Sequence, residues 1–141
     1  MFCAAIEDSE YMGEKKRFWE DVYGVDMSIM TGGIFKDPMV DIVPPNNIMS
    51  DACCILDLDL VKMDKKEVEF SNFYQLRMNH NDLVHALVFW FDVQFKDLQN
   101  SITLSTSPYE KYTHWKQSVV YLDRPLKVRR DEELYGSIAV R

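Results

Sequence analysis

From Gly33 to the end of the chain, apolar residues recur at every second position in short runs divided by turn residues. A period of two puts alternate side chains on opposite faces, so this part of the chain must be built from strands. Leu56, Leu58 and Leu60 alternate with Asp57 and Asp59, and Val68 and Phe70 alternate with Glu67 and Glu69. Tyr74, Leu76 and Met78 repeat the pattern before the turn Asn79-His80-Asn81-Asp82. Residues 83–95 form a longer aromatic and β-branched run, and shorter runs follow at 102–104, 115–122, 126–128 and 134–140. Pro44-Pro45-Asn46-Asn47 breaks the chain, and Asp64-Lys65-Lys66 reads as a turn. Short strands at this spacing predict a mainly β fold, an antiparallel β-barrel or sandwich.

The residues before Gly33 have a different period. Asp8-Ser9 is a candidate helix N-cap with Glu10 in the first turn. Phe18, Trp19 and Val22 fall 7, 8 and 11 positions after Tyr11, which is one stripe of a 3.6-residue helix. Glu14, Lys15, Lys16 and Arg17 take the other faces. Gly13 is expected to weaken this helix early and split it, and Gly24 to terminate it. An aromatic stripe packs either on its own core or on a partner, and a helix at the end of a strand-rich body leaves both open.

With 141 residues, 47% of them hydrophobic, the chain can bury a core, and wholesale disorder is excluded. Its 16 Lys+Arg against 23 Asp+Glu give a net charge of -7. Such a body repels nucleic-acid phosphates, and no aromatic–basic interleaving offers a stacking platform, so direct nucleic-acid binding is not expected. Cationic peptides such as arginine-rich tails suit it better. Cys3, Cys53 and Cys54 make neither a disulfide framework nor a metal site, because adjacent residues of a strand point to opposite faces. They are expected to be small buried hydrophobes in a reducing compartment. No apolar run approaches the roughly 20 residues that span a bilayer, and the N-terminus lacks a basic-then-apolar signal. No membrane contact is expected, and the expected location is cytoplasmic and/or nuclear.

Ser105-Thr106-Ser107-Pro108 followed by Thr113-His114-Trp115-Lys116-Gln117 places a Pro-closed turn, a histidine and a tryptophan at the mouth of a strand. This resembles the threonine-histidine-tryptophan loop of protein arginine N-methyltransferases, which lines the slot for the substrate guanidinium. Ala5-Ile6-Glu7-Asp8 is similar to the strand that leads into that family's dimerisation arm, and the run from Phe18 to Ser28 is similar to the arm itself. Pro38-Met39-Val40-Asp41 resembles the return into the barrel, and residues 81–88 match further downstream. The similarity spans nearly the whole chain in order and is greatest to the class that makes asymmetric dimethylarginine.

The resemblance implies a first barrel strand at 1–7, a helical dimerisation arm at 8–31 and a barrel at 32–141 that is incomplete at its C-terminal end. It also implies that the Rossmann-type domain that binds S-adenosylmethionine, together with the two active-site glutamates, lies upstream and is absent from this chain. The only paired glycines, Gly32-Gly33, sit between arm and barrel rather than opening a helix after a strand. No cofactor-binding or metal-binding residue is therefore expected here. By the same resemblance, His114 is the catalytic-site residue, acting as a latch to the nucleotide domain, and Trp115 and Thr113 bind substrate. Trp115 would form a flat wall of the arginine slot; barrel core is the competing reading, since Trp115, Gln117, Val119 and Tyr121 could share one strand face. Tyr11, Phe18, Trp19 and Tyr23 are the expected dimer-interface residues, while His80 and His85 are read as structural. The implied function is methyl transfer to arginine in proteins such as histones and Gly/Arg-rich proteins, by an enzyme that is a homodimer when intact and inactive as this piece alone. The alternatives are a non-catalytic β-barrel module that self-associates through its arm and, disfavoured by charge, a nucleic-acid-binding barrel.

Overall fold

The computed structural model describes residues 1–96 and 99–141. In chain order the elements are β1 (Phe2–Ile6), α1 (Ser9–Glu20), a 3₁₀ turn (Ser28–Gly32), β2 (Met39–Asp41), a second 3₁₀ turn (Pro45–Asn47), β3 (Cys53–Cys54) and a third 3₁₀ turn (Lys65–Val68). Then follow β4 (Phe70–Arg77), β5 (Asp82–Trp90), β6 (Asp92–Phe95), β7 (Ile102–Ser105), β8 (Gln117–Val128) and β9 (Glu133–Val140). A five-stranded sheet runs in the order β2-β8-β5-β1-β3, and β4-β9 and β6-β7 form two-stranded ribbons. Every described strand pairing is antiparallel, so no Rossmann unit is present among the described residues.

The central strands are covered on both sides. Cys3 and Ala5 of β1 face one apolar cluster, with Met49, Leu76 and Met78, while Ala4 and Ile6 face a second, with Val43 and Val119. Strands buried on both faces carry continuous apolar sequence, which is why Phe2-Cys3-Ala4-Ala5-Ile6 shows no alternation. In β5, Val84 and Leu87 face the first cluster, whereas Ala86, Val88 and Trp90 face the second. The parity changes because the β5–β8 register slips between Val84 and Ala86, with Val84 opposite Leu126 and Ala86 opposite Tyr121. Pro125 falls in the looped-out stretch of β8, where a missing backbone N–H disturbs no ladder bond. The expected runs 115–122 and 126–128 are thus joined in one strand that begins at Gln117.

The β4–β9 ribbon turns Tyr74, Leu76, Leu134 and Ile138 onto the first cluster. Gly136 pairs with Tyr74, and a Cβ at Gly136 would clash with the hydroxyl end of that side chain, at Oη and Cζ. Gly136→Ala is therefore expected to overpack the ribbon by about 1–3 kcal/mol, and Tyr74→Leu in the same chain to restore part of the loss. Urea melts of the two single variants and the pair check this; additive losses would exclude the contact. Among the described strands β9 pairs with β4 alone, which leaves its other edge open.

Several expectations are corrected. Leu56–Leu60 is not a strand: the β1–β3 ladder ends where Ile55 and Leu56 N–H donate to Met1, and among the described residues no strand pairs with the run beyond. Leu60 and Val61 consequently face solvent. Val68 ends a 3₁₀ turn capped by Asp64, and strand begins only at Phe70. Helix α1 runs unbroken through Gly13. It stops at Glu20, four residues before Gly24. Gly24 (φ 83°) and Tyr23 (φ 55°) are the two central residues of a tight turn closed by reciprocal Val22–Val25 bonds. Cys54 is exposed rather than buried, because β3 sets it opposite in face to Cys53; Cys3 is buried, and its thiol is pushed up to about 12.

Candidate functional site

The Thr113–Trp115 turn stands on a framework of buried polar contacts. Thr106, buried, donates its hydroxyl to the Phe91 carbonyl at 3.0 Å and accepts the Phe91 N–H at 3.1 Å, which fixes the loop after β7 to the end of β5. Gln117, the first residue of β8, is also buried. Its Nε2 donates to the Thr106 carbonyl at 2.8 Å, and its Oε1 accepts the Val43 N–H at 3.0 Å. Ser105 donates to Asp92 at 2.5 Å, and Ser107 N–H donates to Ser105 Oγ at 3.1 Å. These bonds satisfy buried groups that would otherwise each cost about 1–3 kcal/mol, and they hold both stems of the turn.

The turn projects its rings outward. Lys116 N–H donates to the Thr113 carbonyl at 3.3 Å, and Lys116 has φ 53°. That left-handed residue breaks the alternation ahead of β8, so Trp115 does not join the face of Gln117, Val119 and Tyr121. The competing barrel-core reading fails, because Trp115 is 57% exposed. Its indole meets Phe91 edge-on at 6.3 Å and His114 edge-on at 6.5 Å. His114 is exposed, while Thr113 is half-buried with its Oγ1 buried and without a hydrogen-bond partner among the described residues.

Helix α1 is anchored on the barrel at its start, while at its end the Trp19 carbonyl accepts the Met27 N–H at 2.9 Å. Its residues before the first turn are tied down: Tyr121 Oη donates to Asp8 Oδ2 at 2.5 Å, Asn47 Nδ2 donates to Oδ1 at 3.1 Å, and the Asp8 N–H donates to His85 Nδ1 at 3.2 Å. Burial, the largest influence, raises the Asp8 pKa above the usual carboxylate value, against the Tyr121 and Asn47 bonds that lower it. Both Asp8 oxygens accept, so Asp8→Asn replaces one charge-assisted acceptor by an NH₂ and weakens the bond to Tyr121 or Asn47. A loss of about 1–3 kcal/mol is expected in denaturant melts at neutral pH; an equally stable variant would dismiss this network. His85 is buried and accepts the Asp8 backbone bond. His80 is exposed in the turn before β5.

The four aromatic residues expected at the interface are placed differently within the chain. Tyr11 and Met12 pack on the second core cluster, and Tyr11 Oη donates to Asp41 Oδ2 at 2.9 Å. Phe18 is 60% exposed and meets Trp19 edge-on at 5.4 Å, while Tyr23 stands wholly in solvent. Val25, Ile29 and Met30 add exposed apolar surface beside them. Ile29-Met30, an apolar pair soon after Asp26, was the only sequence signal for that extension. Asp41 and Lys116 also escaped the sequence reading as functional residues: Lys116 Nζ lies 3.4 Å from Asp41 Oδ1. A cleft of about 200 Å³ beneath α1 is lined by Asp8, Glu10, Glu14 and Asp41 with Tyr11 and Tyr121, a surface suited to a cationic group.

Residues 1–141 match the family described as the arginine methyltransferase oligomerization subdomain. The chain is 39% identical over 138 residues to protein arginine N-methyltransferase 1 of Dictyostelium discoideum, covering 98% of this chain and 40% of that protein. It is 41% identical to the Schizosaccharomyces pombe protein of the same name, covering 98% of this chain and 41% of that one. The chain thus spans about 40% of the length of these curated relatives. Among solved structures it is similar to the Trypanosoma brucei PRMT1 enzyme–prozyme heterotetrameric complex with AdoHcy, with TM-score 0.87, 29% identity, and coverage of 98% of this chain and 44% of that one. The fold also matches Arabidopsis thaliana protein arginine methyltransferase 10, with TM-score 0.72 at 23% identity, over 95% of this chain and 47% of that one.

Proposed function

The chain belongs to the protein arginine N-methyltransferase family, and from that premise we propose that it forms the substrate-facing barrel and the self-association arm of a protein arginine methyltransferase, most like the asymmetric-dimethylating class. The observation that carries this reading is the pose of Thr113-His114-Trp115: an imidazole and an indole held outward on a turn whose two stems are pinned.

A guanidinium is charged at physiological pH and a weak nucleophile, so its methylation depends on placing one nitrogen against the reacting methyl group. The Trp115 indole offers a flat face for the guanidinium plane. His114 orients that wall against an acidic partner outside this chain, and the buried Thr113 Oγ1 holds a hydrogen-bonding capacity that this chain leaves unmet. The carboxylates beneath α1 attract the cationic peptide that carries the arginine. S-adenosylmethionine supplies the methyl group and is bound by the part of the protein outside this chain. Gly32 ends a 3₁₀ turn and Gly33 follows it, so no strand–glycine turn–helix cradle for the cofactor exists among the described residues. Residues 8–31 form the arm, with Phe18, Trp19 and Tyr23 as its anchors on a second subunit.

The test joins this chain to the remainder of the Dictyostelium relative and follows methyl transfer from labelled S-adenosylmethionine to a Gly/Arg-rich peptide. Methylation by the fusion, and none by the 141-residue chain alone, is the expected pair of results. A folded, self-associating fusion that binds cofactor yet methylates nothing would favour the non-catalytic module, which the exposed apolar surface of the arm would also serve.

A further inference from the structure

The first turn of α1 and the Thr113–Trp115 turn belong to different parts of the chain, yet one carboxylate touches both. Asp41 lies 30 residues after Tyr11 and 75 before Lys116. Its Oδ2 accepts the Tyr11 hydroxyl at 2.9 Å; its Oδ1 accepts its neighbour Ile42 N–H at 2.9 Å and Lys116 Nζ at 3.4 Å. The backbone of Asp41 is itself fixed, because the β2–β8 register sets it opposite Gln117. Burial, the largest influence, pushes Asp41 up, but the bonds from Ile42, Tyr11 and Lys116 together hold it below the usual carboxylate value. Asp41 is therefore an anion at neutral pH.

At the other end of the contact, Lys116 follows Trp115 directly and carries φ 53°. A lysine keeps a left-handed backbone only where its surroundings hold it there. The hydrogen bond from its N–H to the Thr113 carbonyl and its ammonium on Asp41 restrain it. Asp41 thus contacts both the Tyr11 phenol of α1 and the residue that follows Trp115.

We propose that Asp41 is a positioning residue that couples the arm to the Thr113–Trp115 turn through Tyr11 and Lys116, so that moving α1 moves the indole of Trp115. A second subunit docking on the arm would then set the arginine slot of the first. That consequence rests on the function proposed above; the coupling itself is a property of this chain.

The test reads the coupling without catalysis. In ¹H–¹⁵N spectra of the 141-residue chain, the Trp115 indole peak is assigned with Trp115→Phe. Tyr11→Phe removes one hydroxyl and leaves the ring in its core contacts, and Lys116→Met removes the ammonium and leaves the stem. Each is expected to shift the Trp115 indole peak by more than its linewidth, while the peak of buried Trp90 stays in place. The double variant is expected to shift it no further than either single one. A Trp115 peak that Tyr11→Phe leaves unmoved, or two shifts that add in full, would overturn the coupling. A merely destabilising role lowers the melting midpoint but leaves the folded-state shift of Trp115 unchanged. In the fusion, Tyr11→Phe should then lower kcat with cofactor affinity unchanged. A fusion with no activity before any substitution would count against the enzyme reading alone, and the spectra would still decide the coupling.

Discussion

Phe18→Ala combined with Tyr23→Ala is expected to weaken self-association of the fusion about 10³-fold, taking roughly 2 kcal/mol for each aromatic anchor. Both rings contact little of their own chain: Phe18 is 60% exposed and touches Trp19, and Tyr23 stands out from the tip of its turn. Their removal therefore costs the isolated fold little, and the loss appears when the second subunit leaves them uncovered. Trp19 is half-buried and Tyr11 packs on the core, so alanine at either would mix folding with association. Tyr109→Ala and Tyr112→Ala, tyrosines about as exposed as Phe18 and outside residues 8–31, supply the control and should leave association unchanged. Sedimentation velocity over a concentration series reads all three cases. A dimer that survives the double substitution would show that residues 8–31 are not its anchor.

His114→Ala is expected to reduce methyl transfer by the fusion about 10²-fold, the order of loss that follows a misplacement near 1 Å at a reacting centre. The imidazole meets Trp115 edge-on at 6.5 Å and is exposed. It contributes nothing to either core cluster. Stability and S-adenosylmethionine affinity should therefore hold while kcat falls. Equal loss of cofactor binding and rate would assign His114 to the folding of the junction instead. Cofactor titration beside the peptide assay separates the two.

What could be seen in the sequence follows from how each strand is covered. Tyr74-Leu76-Met78 and Val119-Tyr121 alternate because one face of each is buried, and the period of two survives in the letters. The strand β1 has no such signature, since both of its faces are buried, and only its resemblance to a known family marked it. The run Leu56–Leu60 has the alternation without the strand, because alternation reports a pattern of side chains and says nothing of whether a neighbouring edge exists. The slip at His85 is equally silent, as it needs the two partners of β5 and β8 to be known together.

The site divides in the same manner. Thr113-His114-Trp115 was legible as a motif, but the same letters allowed Trp115 to be core or slot wall. The φ of Lys116 decided for the exposed pose, and a lysine carries no local sign of a left-handed backbone. Spacing left the aromatic stripe open between core and partner, and only the resemblance assigned Phe18 and Tyr23 to an interface. In the structure Phe18 and Tyr23 are exposed, whereas Tyr11, from the same stripe as Phe18, packs inward. The helix repeats every 3.6 residues, yet only the body it leans on decides where along its length contact stops.

By itself the sequence determined the family, the mainly β body with one amphipathic helix near its start, and the residues of the Thr113–Trp115 turn, because periodicity and short motifs are local and persist in the order of residues. The tertiary structure alone decided which aromatics stay in solvent, and that Asp41 stands between Tyr11 and Lys116. Those contacts close over 30 and 75 residues, and strand register, which no short window of sequence contains, brings their ends together.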